Sequence, residues 1–402
     1  MISSDYTRAL CVRDAKTKIL MLVIDGLGGL PHPDSDKSEL ETANLPNLDR
    51  LAASGSCGLI SPLGGGFTPG SGPAHLALFG YDPWKSEIGR GALSALGLGV
   101  DFRPGDVASR LNFCTVDDAG NVTDRRAGRI PTEKGHELCD LLDAVDIPGI
   151  QVSVAAEMEY RAGVVFRGEG LSDGVGDSDP QTTGIPPRAL VAQGQESEYM
   201  VEVADEFLAQ AREILADQDP ANMVLMRGFG RYPELAQFDD VYGLRALGIA
   251  GYPMYRGVAG AVGMDTVEVN WDMDSECALY EERFDDYDYV YMHVKKTDSA
   301  GEDGDFDRKV TLLEEVDFYV PRLLEQKPNV IVVTGDHSTP SIMRSHSWHP
   351  VPTLIHSEFS LADGAQNFSE RGCQLGSLGV MPSSALMSFV LAHARRLDKF
   401  GA

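Results

Sequence analysis

Two short apolar runs, each ending in metal-binding residue types, constrain the fold of this chain most strongly. The first covers residues 19–24 and stops at Asp25, which a glycine follows. The second covers residues 330–333 and leads into Asp336 and His337. Unbroken apolar runs of this length are typical of buried central strands in a parallel sheet. Because open parallel sheets bind ligands at the carboxyl ends of their strands, we expect these residues at a binding edge.

The pattern changes in the middle of the chain, which predicts two domains. The central part contains shorter strand-like pieces and one amphipathic helix near 198–215. The parallel-sheet pattern then returns. We therefore predict an α/β domain built from residues 1–105 and 266–402, with an α+β domain, residues 106–265, inserted between its halves.

The charge balance limits the kinds of partner. The sequence has 61 acidic and 34 basic residues and a formal net charge of -27. A nucleic acid or an anionic membrane would require a basic surface, so we expect neither as a partner. The six cysteines form no CxxC pair or zinc-like spacing and indicate reduced thiols in the cytoplasm. The apolar run near the start of the chain is too short for a signal peptide or a membrane helix.

Further metal-type residues follow other strands. Asp298 and Glu302 come after an apolar strand near 287–294, and His346 follows the second apolar run. A single aspartate after a strand is more often a helix cap or a turn residue, and a single histidine is more often an ordinary polar residue. The combination is more informative, because several strands of one sheet would deliver ligands to the same edge. Oxygen and imidazole donors suit divalent cations, so the sequence predicts a divalent-metal site.

Ser71 is the candidate nucleophile. It follows a glycine-rich loop, residues 64–70, and precedes a helical pattern at 74–78. In that position its hydroxyl would be exposed, and backbone N–H groups could face a phosphate. Coordination to a metal would lower the pKa of the hydroxyl, and a pair of metals suits phosphoryl transfer. A simple helix-capping serine is an equally consistent interpretation of the local sequence.

A series of motifs occurs in the order expected for one known family. They are Asp25-Gly, Pro69-Gly-Ser71-x-x-Ala-His75-Leu, Gly80-Tyr-Asp-Pro83, Gly89-Arg-Gly91, Asp124-Arg-Arg-Ala-Gly-Arg129, Gly335-Asp-His-Ser-Thr-Pro340 and His346-x-x-x-Pro-Val-Pro352. Together they resemble the archaeal-type cofactor-independent (2,3-bisphosphoglycerate-independent) phosphoglycerate mutases of the alkaline phosphatase superfamily. The resemblance covers nearly the whole chain. It implies an alkaline-phosphatase-like parallel-sheet domain with an inserted substrate-binding domain, two divalent metal ions and a phosphoserine intermediate.

The resemblance also implies roles for individual residues in a glycolytic isomerase acting on a small phosphorylated carboxylic acid. Ser71 would be the nucleophile. One metal ion would be held by Asp25, Ser71, Asp336 and His337, and the other by Asp298, Glu302 and His346. Mn²⁺ is the expected ion, with Mg²⁺, Co²⁺ and Zn²⁺ as alternatives. The carboxylate and phosphate of the substrate would be bound by Arg126, Arg129, Arg161, Arg256, Arg227 and either Lys295 or Lys296.

Two positions depart from the family pattern. Gly72 stands where an acidic residue follows the nucleophile, and Glu302 stands where the family has a histidine. His75 is expected to pack behind the nucleophile, and His349 is a candidate spare ligand. Two alternatives to a mutase stay open. One is a metal-dependent phosphatase or phosphotransferase for another small phosphorylated metabolite, and the other is a non-catalytic protein that binds a phosphorylated ligand.

Overall fold

The computed structural model describes residues 4–86 and 88–401, with strands and helices numbered along the chain. The strands are β1 (Ile19–Ile24), β2 (Ser56–Ser61), β3 (Val107–Val116), β4 (Val122–Asp124), β5 (Gln151–Met158), β6 (Arg161–Arg167), β7 (Met223–Arg231), β8 (Ala246–Ala250), β9 (Asp265–Val267), β10 (Tyr289–Val294), β11 (Val330–Thr334), β12 (Val351–Ser357) and β13 (Gly379–Pro382). The helices are α1 (Ser4–Leu10), α2 (Glu39–Thr42), α3 (Pro46–Ser54), α4 (Ser71–Leu78), α5 (Arg90–Gly97), α6 (Thr132–Leu142), α7 (Glu198–Ile214), α8 (Phe238–Tyr242), α9 (Pro253–Ala261), α10 (Met273–Arg283), α11 (Lys296–Asp303), α12 (Phe306–Glu325), α13 (Glu370–Gln374) and α14 (Leu386–His393).

The chain divides into two compact units. The larger comprises Met1–Glu87 and Ala236–Ala402, and the smaller comprises Ile88–Leu235. The larger unit contains an eight-stranded sheet in the order β13-β2-β12-β11-β1-β10-β8-β9. Its centre is parallel, because β1 pairs in parallel with both β10 and β11, and β10 pairs in parallel with β8. The α/β fold class predicted from the apolar runs is confirmed.

The central strands are apolar because they are covered on both faces. Every residue of β1 and β11 is buried, which is why neither strand shows an alternating pattern. The long helix α12 packs against α2, α3, α10 and α11. It begins at Asp305, whose side chain accepts a hydrogen bond from the backbone N–H of Arg308 and caps the helix.

The smaller unit is an antiparallel sheet with its own core. Its strands lie in the order β4-β3-β6-β5, and β7 also pairs with β3 in an antiparallel arrangement. The helices α6 and α7 cover one face, and Phe166, Phe207 and Met200 are fully buried between helix and sheet. The amphipathic pattern near 198–215 thus corresponds to α7, whose apolar face packs on this sheet.

The observed boundaries between the units differ from the predicted ones at 105/106 and 265/266. The helix α5 belongs to the smaller unit because it packs on β3 and β7, with Gly91 so close that a Cβ atom there would lie 2.5 Å from the Cα of Ser109. The strand β8 belongs to the larger unit because it extends the parallel sheet beside β10. Both differences arise from contacts between distant segments, which the local pattern does not reveal.

The described residues contain no helix that is both long and apolar enough to cross a membrane. All six cysteines are free thiols, and five of them are buried. Free thiols agree with the absence of paired cysteine spacings in the sequence.

Candidate metal centre and nucleophile

Three parallel strands deliver the candidate ligands to one edge of the larger sheet. Asp25 follows β1, Asp336 and His337 follow β11, and Asp298 lies in the first turn of α11, which follows β10. The side chains of Asp25, Asp336 and His337 are fully buried, and that of Asp298 is nearly so. The sheet order β11-β1-β10 places these three strand ends side by side.

The nucleophile candidate lies beside this cluster. Ser71 Oγ is 3.4 Å from His337 Nε2. The N-cap of α4 is Gly70, and no side chain caps the helix, so the interpretation of Ser71 as a helix-capping serine is wrong. The carbonyl of Ser71 accepts a hydrogen bond from His75 Nδ1 at 2.8 Å. Burial lowers the pKa of His75 to about 3, so this imidazole stays neutral and anchors the first turn of α4.

The first group of ligand atoms converges on one nitrogen of His337. Asp336 Oδ2 lies 3.1 Å and Asp25 Oδ1 3.5 Å from His337 Nε2. Together with Ser71 Oγ, these atoms surround a small volume of the kind a cation fills. Asp25, Asp336 and His337 each offer a ligand atom, and these three atoms lie within 4.8 Å of one another.

The proton position on His337 supports a cation in that volume. Thr339 Oγ1 donates to Asp298 Oδ1 at 2.6 Å and therefore accepts from His337 Nδ1 at 3.0 Å. The proton is then on Nδ1, and Nε2 presents a lone pair to two carboxylate oxygens. An unprotonated ring nitrogen that faces two carboxyl groups is a suitable set of ligands for a cation.

The second group contains Asp298, Glu302 and His346. His346 Nε2 lies 3.5 Å from Asp298 Oδ1 and 3.7 Å from Glu302 Oε1. His346 Nδ1 donates to the carbonyl of Pro69 at 3.0 Å, which leaves Nε2 free as a ligand. Glu302 is the more exposed member, because its side chain retains 53% of its accessible surface.

The two groups are adjacent. The rings of His337 and His346 stack with their centroids 3.6 Å apart. Asp298, His337 and His346 also offer ligand atoms within 4.8 Å of one another, so His337 borders both groups. The two groups therefore form a pair of neighbouring candidate sites. His349, the candidate spare ligand, instead stacks on Trp348 and contacts Ser347 through Nδ1.

The electrostatics of the cluster fit divalent cations. Asp25 Oδ1 and Asp336 Oδ2 are buried and have no hydrogen-bond partner in the described part of the chain. Burial and the charges of Asp25 and Asp298 raise the pKa of Asp336 well above its ordinary value. Burial lowers the pKa of His337 well below its ordinary value, so the ring is neutral, as a metal ligand must be. Positive ions would relieve the repulsion between the carboxylates.

Two residues around the cluster, Tyr255 and His293, were not found from the sequence. Tyr255 donates to Asp25 Oδ2 at 2.5 Å, and His293 Nε2 lies 3.4 Å from the same oxygen. Lys295 Nζ lies 3.1 Å from Asp25 Oδ2 and also donates to Asp298. Burial raises the pKa of Asp25, but Lys295, His293 and His337 outweigh it and leave that pKa well below its ordinary value. The inward position of His293 on a buried strand is the one signal that could have identified it.

Of the two candidate lysines, it is Lys295 that contacts the carboxylate cluster. Lys296 begins α11, and both lysines line a pocket that also contains Glu276 and Trp271. The prediction that Arg256 belongs to the inserted domain is wrong. This residue lies on α9 of the larger unit, is 8% exposed, and donates to the carbonyls at the end of β8.

The remaining candidate arginines lie in the smaller unit. Arg129 and Arg161 both approach Glu159, with N–O distances of 3.7 and 4.0 Å. Arg126 is exposed and precedes a turn in which three consecutive residues have left-handed backbone angles. Arg227 lies 3.7 Å from the buried Asp179. A further arginine, Arg125, makes a two-pronged contact with the same carboxylate.

Comparison with known proteins gives one consistent answer. The profile of the 2,3-bisphosphoglycerate-independent phosphoglycerate mutases matches residues 52–222. A Thermus thermophilus protein described as a probable 2,3-bisphosphoglycerate-independent phosphoglycerate mutase is 47% identical over 391 residues, covering 96% of this chain and 96% of that protein. An Aquifex aeolicus protein with the same description is 45% identical over 401 residues, covering 97% and 98%.

Solved structures agree with the sequence comparison. A protein from Pyrococcus horikoshii superposes with a TM-score of 0.84 at 30% identity, covering 96% of this chain and 100% of that one. The cofactor-independent phosphoglycerate mutase from Thermoplasma acidophilum gives a TM-score of 0.70 at 30% identity, covering 94% and 100%. The resemblance inferred from the motifs is thereby confirmed, and the chain belongs to the family of 2,3-bisphosphoglycerate-independent phosphoglycerate mutases.

Proposed function

We propose that this protein interconverts 3-phosphoglycerate and 2-phosphoglycerate through a phosphoserine at Ser71. The observation that carries the proposal is the convergence of Ser71 Oγ, Asp25 Oδ1 and Asp336 Oδ2 around His337 Nε2, within 3.1 to 3.5 Å of that nitrogen. A hydroxyl placed among buried carboxylates and a neutral imidazole is the arrangement expected of a metal-activated nucleophile.

Two divalent ions would complete the centre. Asp25, Ser71, Asp336 and His337 would hold one, and the second group, defined above by Asp298, would hold the other. When bound, such ions lower the pKa of a coordinated hydroxyl and neutralise phosphoryl oxygens. We propose Mn²⁺ for both positions, with Mg²⁺ as the closest substitute, because Glu302 adds an oxygen donor where a nitrogen donor would favour softer metals.

The substrate would be held by cationic side chains. Planar guanidinium groups form paired hydrogen bonds with carboxylate and phosphate oxygens. We propose that Arg126, Arg129 and Arg161 bind the substrate, since they lie in the unit that is inserted between the halves of the larger one. Lys295 would face the phosphoryl group from beside Asp25 and Asp298. We place Lys296 second to it, because in the described part of the chain it is Lys295 that contacts these two carboxylates.

The reaction requires two in-line displacements at phosphorus. In the first, Ser71 gives up its hydroxyl proton and a bond forms between Ser71 Oγ and phosphorus, while the bond to the C3 oxygen of the substrate breaks and that oxygen takes up a proton. Glycerate then stays bound and turns. Its C2 oxygen loses its proton and forms a bond to phosphorus, while the bond to Ser71 Oγ breaks and Ser71 regains a proton. Water must be excluded while phosphoserine exists, because its attack would give inorganic phosphate.

The replacement of Ser71 by alanine tests this proposal. We expect Ser71→Ala to lose at least about 10³-fold in turnover, because a nucleophile that forms the covalent intermediate cannot be bypassed. Its unfolding midpoint should stay close to that of the unmodified protein. Ser54→Ala, which removes an exposed serine on α3, is the matched control and should keep full activity. Turnover is measured with 3-phosphoglycerate and Mn²⁺, and the products are identified by phosphorus NMR.

The products separate the alternatives. Formation of 2-phosphoglycerate identifies a mutase, and inorganic phosphate identifies a phosphatase. A protein that binds Mn²⁺ but converts no 3-phosphoglycerate would point to another phosphorylated metabolite or to a non-catalytic role. Retention of mutase activity by Ser71→Ala would refute the assignment of Ser71.

A further inference from the structure

A buried lysine lies beneath the loops that carry the candidate metal ligands. Lys309, on α12, is 0% exposed. Its ammonium group donates three hydrogen bonds to backbone carbonyls: Gly26 O at 2.9 Å, Gly28 O at 3.1 Å and Thr339 O at 2.9 Å. All three donors of the group are therefore used. An ammonium group removed from water in this way is tolerated only because it is hydrogen-bonded throughout.

The three carbonyls belong to the two loops that follow β1 and β11. Gly26 comes directly after Asp25, and its N–H donates to Asp336 Oδ1 at 3.2 Å. Thr339 comes two residues after His337, and its hydroxyl links Asp298 to His337. The lysine thus contacts residues that adjoin or bond four candidate ligands. In the described part of the chain, its ammonium group itself donates to backbone carbonyls and to none of these four side chains.

The two loops are packed with no space for adjustment. A Cβ atom on Gly28 would lie 1.9 Å from Ser338 Oγ, and one on Gly26 would lie 2.6 Å from Thr339 Oγ1. The N–H of Thr339 also donates to Gly28 O at 3.0 Å. A displacement of either loop would therefore be transmitted directly to the other.

Two glutamates, opposite in charge to Lys309, bind the far ends of the same two loops. Glu39 accepts a hydrogen bond from the N–H of Ser341 at 2.7 Å, and Glu370 accepts one from the N–H of Gly29 at 2.7 Å. Both carboxylates interact electrostatically with Lys309. The lysine and the two glutamates form a cluster of charged side chains, and each of the three makes at least one hydrogen bond to the backbone of these loops.

We propose that Lys309 is a positioning residue that fixes the loops after β1 and β11, so that Asp25, Asp336, His337 and Asp298 keep the spacing that a pair of divalent ions requires. This inference rests on the proposed metal-dependent function. Lys309 acts by holding the backbone that carries the candidate metal ligands, and it does not contact the substrate.

The test compares Lys309→Met with Arg308→Met. Methionine fills a similar volume but leaves the three carbonyls without a donor. Arg308 is exposed on the same helix and pairs with Asp303 at 3.2 Å, so its replacement is the matched control. We expect Lys309→Met to lose about 10- to 100-fold in Mn²⁺ affinity by calorimetry, as is typical when an outer-shell partner is removed. Its kcat should fall by a similar factor at saturating Mn²⁺, while KM for 3-phosphoglycerate stays within about twofold.

A purely structural role would give a different result. It would lower the unfolding midpoint of Lys309→Met equally with Mn²⁺ and with EDTA, and leave Mn²⁺ affinity and kcat unchanged, which overturns the inference. If Lys309→Met does not fold, Lys309→Gln tests the same link, because it removes the charge and leaves a shorter amide donor for the three carbonyls. Unchanged Mn²⁺ affinity and kcat in Lys309→Gln would then overturn the inference. If the unmodified protein itself binds no Mn²⁺, the proposed function fails instead.

Discussion

Glu276 shows how one buried side chain can set the pH dependence of stability. It lies on α10 and is 4% exposed. Burial raises its pKa from 4.5 to about 8, although the N–H of Gly251 and the charge of Lys296 partly oppose this. The folded protein therefore keeps the proton up to about pH 8, whereas the unfolded chain releases it near pH 4.5. Because the folded state binds more protons, this group makes stability fall as pH rises through that interval.

We predict that Glu276→Gln becomes more stable than the unmodified protein as pH rises. The difference in unfolding free energy should be near zero at pH 4.5 and reach on the order of a few kcal/mol at pH 8, since one pKa unit corresponds to about 1.4 kcal/mol. Urea unfolding at several pH values measures it. Glu282→Gln, on the exposed side of the same helix, is the control. A difference for Glu276→Gln that does not change with pH would contradict the prediction.

Among individual residues, sequence reasoning was most effective where a local pattern limits the backbone. Asp25, Asp336 and His337 were predicted to lie at one sheet edge because each follows an apolar strand, and the structure brings them together. Lys309 was missed although it occupies a position of the apolar stripe of α12, together with Leu313 and other buried residues. The role proposed for this lysine depends on its three carbonyl partners. These belong to loops distant in sequence, so the local pattern does not reveal the role.

At the scale of elements, a helix glycine determines how closely α11 approaches the loop after β11. A Cβ atom on Gly301 would lie 2.3 Å from the carbonyl oxygen of Thr339 and 2.9 Å from its Cγ2. We predict that Gly301→Ala shifts α11, which carries Asp298 and Glu302, and lowers stability by about 1–3 kcal/mol. Activity should fall as well, because two candidate ligands move with the helix. Thermal unfolding and Mn²⁺-dependent turnover measure both effects.

The control for this substitution is another helix glycine. Gly260, near the end of α9, faces open space, and a Cβ atom added there would meet no atom of the described residues within 4 Å. Alanine there should leave stability unchanged or raise it by roughly 0.5–1 kcal/mol, because alanine is the better helix former. If Gly301→Ala behaves like Gly260→Ala, the close approach of α11 does not control the site.

The presence of helices and strands was easier to predict than the residues at which they begin and end. The helix near 198–215 and the central strands follow from apolar spacing alone. The strand β7 continues beyond its apolar residues 223–226 to Arg231, because it pairs with β3 through an irregular register. The unit boundaries were displaced for the same kind of reason, since α5 and β8 are assigned by their packing partners and not by their composition.

At the scale of the whole molecule, the candidate ligands come from segments far apart in the chain. Residues 25, 71, 298, 336 and 346 belong to both halves of the larger unit, on either side of the inserted segment. Unfolding the larger unit would separate all of them. An ion that binds only the folded arrangement therefore stabilises it, by about 2.7 kcal/mol per site at a free concentration of 100 times Kd.

We predict that this stabilisation is confined to the larger unit. The smaller unit has its own buried core and contributes none of the residues of the two ligand groups. Mn²⁺ should therefore slow amide hydrogen exchange in peptides containing β1, β10 and β11, relative to EDTA, and leave peptides from β3, β5 and β6 unchanged. Asp336→Asn removes a buried ligand and should abolish the effect. Equal protection of both units, or protection that persists in Asp336→Asn, would show that Mn²⁺ stabilises the protein from somewhere other than this centre.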